Sequence, residues 1–258
     1  MYYFFVTLEI WIVFLMTCLV IFPVNVITRV ISHPFDRNLR LLHIFSCFWA
    51  SVLSWLNPLW YVKINGRGKI KVSTSYVLIS NHQSMTDILV LYRLFKHFKW
   101  VSKIELFKLP FVGWNMSLNN YVKVDRGKHS GHIRMMNESE EHLRRGSSVM
   151  IFPEGTRSKN GELNAYKEGA FRLALTSKVS IVPIVIDGTL NSFPRKGIIL
   201  NQRCRIVVNI LDPITYETFA ELSSRELAKM AHDIMQRELE ELRRGKEDER
   251  KKKKVDKR

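Results

Sequence analysis

The sequence has 258 residues, of which 46% are hydrophobic and 25% charged, and this balance excludes a disordered tail or a collagen-like fibre and suits one globular domain with an appendage. Forty Lys and Arg residues against twenty-four Asp and Glu residues give a formal net charge of +16, which favours an anionic partner such as phosphate, phospholipid headgroups or nucleic acid. Three scattered cysteines are too few for a disulfide framework, show no zinc-ligand spacing, and favour a reducing compartment.

Two apolar stretches occupy the first quarter of the chain. Residues 10–28 and 41–62 are free of charged side chains, and each stretch is long enough by itself to cross a bilayer. No Lys or Arg precedes the first stretch and no small-residue cleavage site follows it, which argues against a signal peptide. The second stretch has basic residues at both ends and is interrupted by serine and tryptophan. The positive-inside tendency therefore favours a helix in the interface, and a buried helix and a spanning helix stay open as alternatives. We therefore expect residues 1–62 to form a membrane-anchoring helical pair that holds the protein at the cytoplasmic face of a membrane.

From residue 61 onward, short apolar strands alternate with helical stretches. Strands are predicted at residues 61–64, 76–80, 149–152, 181–186 and 205–211. Helices are predicted at residues 86–98, 131–145, 167–177 and 223–244. This alternation predicts an α/β fold over residues 63–242, with a mixed, partly parallel sheet flanked by helices and preceded by the N-terminal membrane-associated helical segment. Residues 243–258 hold ten Lys or Arg and four Asp or Glu, and we expect a basic, disordered tail there.

His82 and Asp87 follow the strand predicted at residues 76–80. Five helical steps place two side chains about 140° apart, so this pair cannot share a helix face. The two can touch when His82 lies in the loop and Asp87 in the first turn of the next helix. Asp87 then accepts the Nδ1–H of His82 and stabilises the imidazolium, which is the arrangement of a general base. Spacing alone leaves an alternative, a Ser84–Asp87 capping box beside an incidental histidine.

Residues 152–158 read Phe-Pro-Glu-Gly-Thr-Arg-Ser and follow another predicted strand. A glycine-bearing turn at a strand end exposes backbone N–H groups, and the guanidinium of Arg157 can grip a phosphate with two hydrogen bonds. By itself the segment also fits a surface loop with a salt bridge. Its combination with residues 81–87 favours a functional site.

Four blocks together make the sequence resemble the glycerolipid acyltransferases of the 1-acyl-glycerol-3-phosphate type. The blocks are residues 81–87 with the H-x4-D spacing, residues 121–126, residues 152–158, and residues 181–185 with an embedded proline. The resemblance extends from about residue 64 to about residue 211. It implies that a fatty acyl group passes from acyl-CoA or acyl-carrier protein to the sn-2 hydroxyl of 1-acyl-glycerol-3-phosphate, giving phosphatidic acid.

The resemblance also implies a role for individual residues. His82 is the implied base and Asp87 orients it. Arg126 and Arg157 bind the acceptor phosphate, Glu154 orients the glycerol, and the fourth block lines or supports the acyl channel. It implies no metal and no cofactor, with the acyl thioester as co-substrate and a lysophospholipid and membrane lipids as partners. The implied acceptor-binding residues are Lys103, Arg126, Glu154, Gly155, Thr156 and Arg157.

Two other functions remain open at this point. The acceptor can be a lysophospholipid with a different headgroup, or the chain can be a non-catalytic basic membrane scaffold. A nucleic-acid-binding protein would account for the charge but not for the two apolar stretches, so we expect no nucleic-acid partner.

Overall fold

The computed structural model describes residues 1–194, 199–200 and 202–255, with side chains described through residue 248. The helices are α1 (Tyr2–Ser32), α2 (Arg40–Trp55), α3 (Thr86–Tyr92), α4 (Val112–Leu118), α5 (His129–Arg144), α6 (Gly169–Ser177), α7 (Tyr216–Phe219) and α8 (Ser224–Val255). The strands are β1 (Trp60–Asn65), β2 (Val77–Ser80), β3 (Phe98–Lys103), β4 (Val122–Val124), β5 (Ser148–Ile151), β6 (Ile181–Asp187) and β7 (Cys204–Ile210).

The strands form one mixed sheet in the order β1-β7-β6-β2-β5-β3-β4. Neighbouring strands are parallel except β6 and β7, which are antiparallel. The predicted α/β fold with a partly parallel sheet is therefore confirmed. Alternate residues of β2 enter different cores, since Leu78 packs into one apolar cluster and Val77 and Ile79 into another. The carboxyl ends of β2, β5 and β6 meet at one edge of the sheet, and β7 begins at that edge because it runs against β6.

Most predicted boundaries agree to within one or two residues, but two differ by more. The helix expected at residues 86–98 ends at Tyr92, the chain turns at Phe95 with φ of 51°, and strand β3 begins at Phe98. At the other end of the chain, α8 continues without a break through Val255, so residues 243–255 are helical where a disordered tail was expected. Residues 256–258 of that expected tail lie outside the described residues.

The inward face of helix α1 carries polar side chains that bond to the rest of the domain, and its outward face carries large apolar side chains. Asn25 is fully buried and donates to Asn115 Oδ1 at 2.8 Å, and Thr17 Oγ1 accepts from the Trp49 indole at 3.1 Å. The opposite face exposes large apolar side chains, namely those of Leu8, Ile12, Leu15, Leu19, Ile27 and Ile31. At a rise of 1.5 Å per residue the helix is about 46 Å long. Within the described residues, α1 is the one helix that is long and apolar enough to cross a membrane.

The second apolar stretch divides between two elements. Its first part forms α2, whose sixteen residues reach only about 24 Å, and its last part enters β1. Leu42, Cys47 and Leu53 on α2 are buried, whereas Ile44 and Phe48 are exposed. Helix α2 is therefore too short to span a bilayer. One of its apolar faces packs on the core and another is exposed.

Strand β3 buries the side chain of a lysine, a residue type that normally faces solvent. Lys99 is 1% exposed, and its ammonium donates to the carbonyl of Asn119, just after α4, at 2.7 Å. Burial is the main cause that lowers the pKa of Lys99 from 10.5 to about 7. The folded state therefore carries the cost of burying this charge at neutral and acidic pH.

This burial predicts a specific pH dependence of stability. Below pH 7 Lys99 is protonated in both the folded and unfolded states; between about pH 7 and 10.5 the unfolded state binds more protons, so the stability of the parent protein rises with pH. We expect the parent to gain stability relative to Lys99→Met as the pH is raised from 7 to 10. Free energies of unfolding from urea titrations at both pH values measure this gain. The matched variant of an exposed lysine, Lys229→Met, should show no such trend, and an equal trend in both variants would contradict the prediction.

Candidate active site

The loop between β2 and α3 is fixed to the sheet by Asn81. Its side-chain amide donates to the Ile186 carbonyl at 2.8 Å and its side-chain oxygen accepts from the Ile186 N–H at 2.8 Å. These two bonds continue the pairing of β2 with β6 by one residue past the end of β2. The next residue, His82, therefore leaves the sheet at a defined point of its carboxyl edge.

His82 and Asp87 are in contact, as the spacing predicted. The His82 Nδ1 lies 2.8 Å from Asp87 Oδ2, and the same oxygen accepts the backbone N–H groups of Gln83 at 2.7 Å and Ser84 at 2.8 Å. Because a carboxylate accepts and does not donate, Nδ1 carries the proton and Nε2 keeps its lone pair. The imidazole also stacks on Phe152, with ring centroids 4.0 Å apart and planes 12° from parallel. The ring is thus held from its edge and from one face.

Glu154 ties the loop after β5 to the histidine loop. Its Oε1 accepts the backbone N–H of His82 at 2.9 Å, and its Oε2 accepts both the backbone and side-chain N–H groups of Asn164, at 3.0 and 2.6 Å. Burial raises the pKa of this carboxyl group. Glu154 is 4% exposed and does not line the cavity beside His82, so the structure does not bring it to the position expected for a residue that orients glycerol.

A cavity of about 510 Å³ opens in front of His82 at the carboxyl edge of the sheet. Three cationic side chains line it, and they come from three separate parts of the chain: Lys103 at the end of β3, Arg126 after β4 and Arg157 after β5. Gly155 and Thr156 line it as well. We call this space, with His82 and these three cations, the basic cavity. All the site residues predicted from the sequence line this cavity, except Asp87 and Glu154. Those two side chains contact His82 outside the cavity wall.

The loop after β5 also shapes the cationic wall. The guanidinium of Arg126 donates to the Gly155 carbonyl. Gly155 has a φ of +71°, a left-handed conformation that favours glycine. Thr156 and Arg157 follow Gly155 in the chain and line the same cavity.

Sequence reasoning missed several residues that surround the histidine. Phe152 was recognised as part of a motif but not as the ring that stacks on His82. Ser102 lines the basic cavity from β3, a strand absent from the prediction. Gln83 links the histidine loop to distant segments, because its side chain donates to the Gly161 carbonyl at 3.2 Å and accepts from the Thr189 hydroxyl at 3.2 Å. Such contacts carry no local sequence signal.

A smaller, mostly apolar cavity of about 130 Å³ adjoins the basic cavity. The two share Met85, Ile88, Ser102 and Leu106, and the smaller one extends under α2 and α4. Among its lining residues are side chains from α1, α2 and α4, but none from β6. The fourth block, which was expected to line or support an acyl channel, forms the buried strand β6.

Comparisons of the sequence and the fold with known proteins find acyltransferases. A family model described as Acyltransferase matches residues 61–187. The 1-acyl-sn-glycerol-3-phosphate acyltransferase LPAT1, chloroplastic, of Arabidopsis thaliana is 36% identical over 192 residues, which cover 71% of this chain and 53% of that protein. The 1-acyl-sn-glycerol-3-phosphate acyltransferase of Limnanthes douglasii is 30% identical over 208 residues, which cover 80% of this chain and 72% of that protein. The chain spans about half the length of the chloroplastic relatives it matches.

The fold is also found in a solved structure. The crystal structure of the 1-acyl-sn-glycerophosphate (LPA) acyltransferase PlsC from Thermotoga maritima matches with a TM-score of 0.74, covering 92% of this chain and 96% of that one. The two sequences are 22% identical, so this likeness shows the shared fold alone.

The buried position of Glu154 predicts a structural cost when its charge is removed. In Glu154→Gln an amide NH2 replaces one of the two oxygens that accept the His82 and Asn164 N–H groups. Leaving a buried donor unpaired costs about 1–3 kcal/mol. We expect a lower midpoint of thermal unfolding in detergent for Glu154→Gln, and no change for Glu221→Gln at an exposed position. Equal midpoints for the parent and Glu154→Gln would contradict this assignment.

Proposed function

Because the chain belongs to the 1-acyl-sn-glycerol-3-phosphate acyltransferase family, we propose that it transfers a fatty acyl group from an acyl thioester to the sn-2 hydroxyl of 1-acyl-glycerol-3-phosphate, giving phosphatidic acid. One observation carries this proposal. An imidazole oriented by a buried carboxylate faces a cavity whose wall holds three cations from separate segments. A base and a phosphate-binding wall in one cavity are what a phosphorylated alcohol acceptor requires.

In the proposed reaction His82 acts as the general base. Its Nε2 takes the proton of the acceptor hydroxyl while the hydroxyl oxygen attacks the thioester carbonyl carbon. The tetrahedral intermediate then collapses, the carbon–sulfur bond breaks, and the imidazolium returns the proton to the leaving thiolate. Asp87 stabilises the imidazolium between the two steps, because its Oδ2 already accepts from Nδ1. The route needs no covalent acyl-enzyme.

Lys103, Arg126 and Arg157 bind the acceptor phosphate in this proposal. Arg157 is exposed on the cavity wall, so its planar guanidinium can take a phosphate with two parallel hydrogen bonds. Glu154 contributes indirectly, by fixing the backbone of His82. The adjoining apolar cavity offers a hydrocarbon-compatible space next to the reacting groups, and a fatty acyl chain fits its chemistry.

Membrane association fits the same proposal, since both the acceptor and the product are lipids. The apolar outward face of α1 supplies the contact with the membrane, and the catalytic domain lies at its cytoplasmic face. The basic surface of the chain adds attraction to anionic headgroups.

An assay of the full chain in detergent tests the function directly. Acyl-CoA and 1-acyl-glycerol-3-phosphate are supplied together, and both free thiol and phosphatidic acid are measured. Equal amounts of thiol and phosphatidic acid support the proposal. Thiol release that does not depend on the acceptor would indicate a thioesterase, and the proposal would then be wrong. Parallel assays with other lysophospholipids separate the acceptor headgroups.

Replacement of the base predicts a loss of turnover without a loss of fold. His82→Ala should lower kcat by at least about 10². The exposed histidine variant His132→Ala should keep the parent kcat, and circular dichroism should confirm that both variants are folded. Retention of most activity in His82→Ala would exclude the proposed mechanism.

The phosphate contact predicts that an apparently conservative substitution affects one substrate more than the other. Arg157→Lys keeps the charge but removes the planar fork, so we expect the KM for the acceptor to rise by about tenfold and the KM for the acyl donor to change less. Arg134→Lys, at an exposed position on α5, is the matched control. Equal changes in both KM values would assign Arg157 a structural role instead.

A further inference from the structure

A patch of exposed apolar side chains lies on the surface between β3 and α4. Leu109 is 46% exposed, Val112 is 36% exposed and Trp114 is 47% exposed, and Ile104 is exposed where the patch begins. Residues 109–118 contain no charged side chain. We call residues 104–114 the apolar segment. Contiguous exposed apolar side chains of this kind mark a contact with a partner or with a membrane.

The fold holds the apolar segment in one shape. The backbone N–H of Gly113 donates to the Leu109 carbonyl at 2.9 Å, and a Cβ atom at Gly113 would lie 2.5 Å from the carbonyl oxygen of Leu106. Glycine is therefore needed where α4 packs against the preceding turn. Phe111 has a φ of 57°, a conformation that a residue other than glycine keeps only where its surroundings hold it. A constrained backbone thus presents the apolar side chains at the surface.

The apolar segment continues the apolar face of α1. The ring centroid of Phe22 on α1 lies 5.8 Å from that of Phe111 and 5.6 Å from that of Trp114. The centroids of Phe111 and Trp114 are 5.3 Å apart. Leu15 and Leu19 are exposed, and with Phe22 they have the i, i+4, i+7 spacing of a single helix face. Apolar groups therefore extend from α1 across three rings onto the apolar segment.

The apolar segment also forms part of the wall of the smaller, mostly apolar cavity. Leu109 and Val112 line that cavity, and both are partly exposed at the surface. Phe14 lines the same cavity from α1. Leu106 lines both this cavity and the basic cavity, so the two spaces adjoin there. Leu109 and Val112 therefore stand between the surface patch and a space that leads to the basic cavity.

We infer that the apolar segment is a second membrane-contacting element, which enters the bilayer beside α1 and opens the smaller cavity to the hydrocarbon. The passage of a lipid chain by this route rests on the proposed function, but the membrane contact does not. A bilayer fits the patch because one apolar medium covers α1 and the apolar segment together. Lys108 is exposed next to the patch, where its ammonium can reach anionic headgroups while the apolar side chains lie deeper.

Quenching of Trp114 by brominated lipids tests the membrane contact. The full chain is reconstituted with vesicles of phosphatidylcholine and phosphatidylglycerol, with or without bromine on the acyl chains, and Trp114→Phe is measured in the same way. The difference between the two proteins reports the Trp114 indole, because the other five tryptophans are shared. Side chains of an interfacial element lie about 5–10 Å into the boundary between headgroups and acyl chains, so we expect brominated lipid to remove about half or more of this difference signal.

An activity ratio tests the lipid route. Ile104→Asn/Trp114→Gln removes two exposed apolar side chains that are not among the described residues lining the two cavities. Val72→Asn/Ile133→Asn removes two exposed apolar side chains elsewhere and is the matched control. The acceptors are a long-chain 1-acyl-glycerol-3-phosphate in vesicles and its water-soluble hexanoyl analogue. We expect the ratio of kcat/KM for the vesicle acceptor to that for the soluble acceptor to fall about tenfold in the first variant and to stay at the parent value in the control.

The outcomes separate the inference from the proposed function. A Trp114 signal that brominated lipid leaves unchanged, in protein that floats with the vesicles, would overturn the inference. A dimer in detergent that Ile104→Asn/Trp114→Gln dissociates would also overturn it, by assigning the patch to a second copy of the chain. An unchanged activity ratio would overturn the lipid route. Absence of transfer to both acceptors in the parent would overturn the proposed function, while the quenching would still decide the membrane contact.

Discussion

One carboxylate oxygen, Asp87 Oδ2, determines the shape of the loop that carries the histidine. It accepts three N–H groups, two from the backbone of the loop and one from the imidazole of His82. Asp87 is fully buried, and a buried carboxylate is tolerated only when hydrogen bonds replace its lost hydration. The bonds that compensate the buried charge are therefore the same bonds that fold the loop and select the tautomer of the ring. The same three hydrogen bonds thus contribute both to the local fold and to the preparation of the base.

The backbone of His82 is fixed from the other side by the loop after β5. Its N–H donates to Glu154 Oε1 at 2.9 Å, and its carbonyl accepts from the N–H of Ser158 at 2.7 Å. Between these two contacts lie Gly155, Thr156 and Arg157, which line the basic cavity. The loop that carries Arg157 is thus fixed to the backbone of His82 by one main-chain hydrogen bond and by one bond to the buried side chain of Glu154, which is the kind of support that precise positioning requires.

The sequence predicted those parts of the site that lie close together in the chain. The contact between His82 and Asp87 followed from a five-residue spacing and one loop. The role of Glu154 did not, because a motif shows which residue types are present but not the direction in which each side chain points. Strand β3 was missed because Lys99 resembles a solvent-facing residue, and only the tertiary contact with the Asn119 carbonyl accounts for its burial.

Polar side chains bond α1 to the rest of the domain, so this helix does more than attach the domain to a membrane. Asn25 bonds to Asn115 on α4, Thr17 to Trp49 on α2, and Thr7 accepts the N–H of Leu200 at 3.0 Å, so the helix is attached to the domain near both ends and in the middle. A flexible linker would let the domain adopt any orientation relative to the bilayer. A helix fastened at three points transmits its own tilt and azimuth to the domain. A bilayer that binds the apolar face of α1 would therefore also set the orientation of the basic cavity. The hydrogen bonds on the opposite face of the helix would then fix the direction from which a lipid enters.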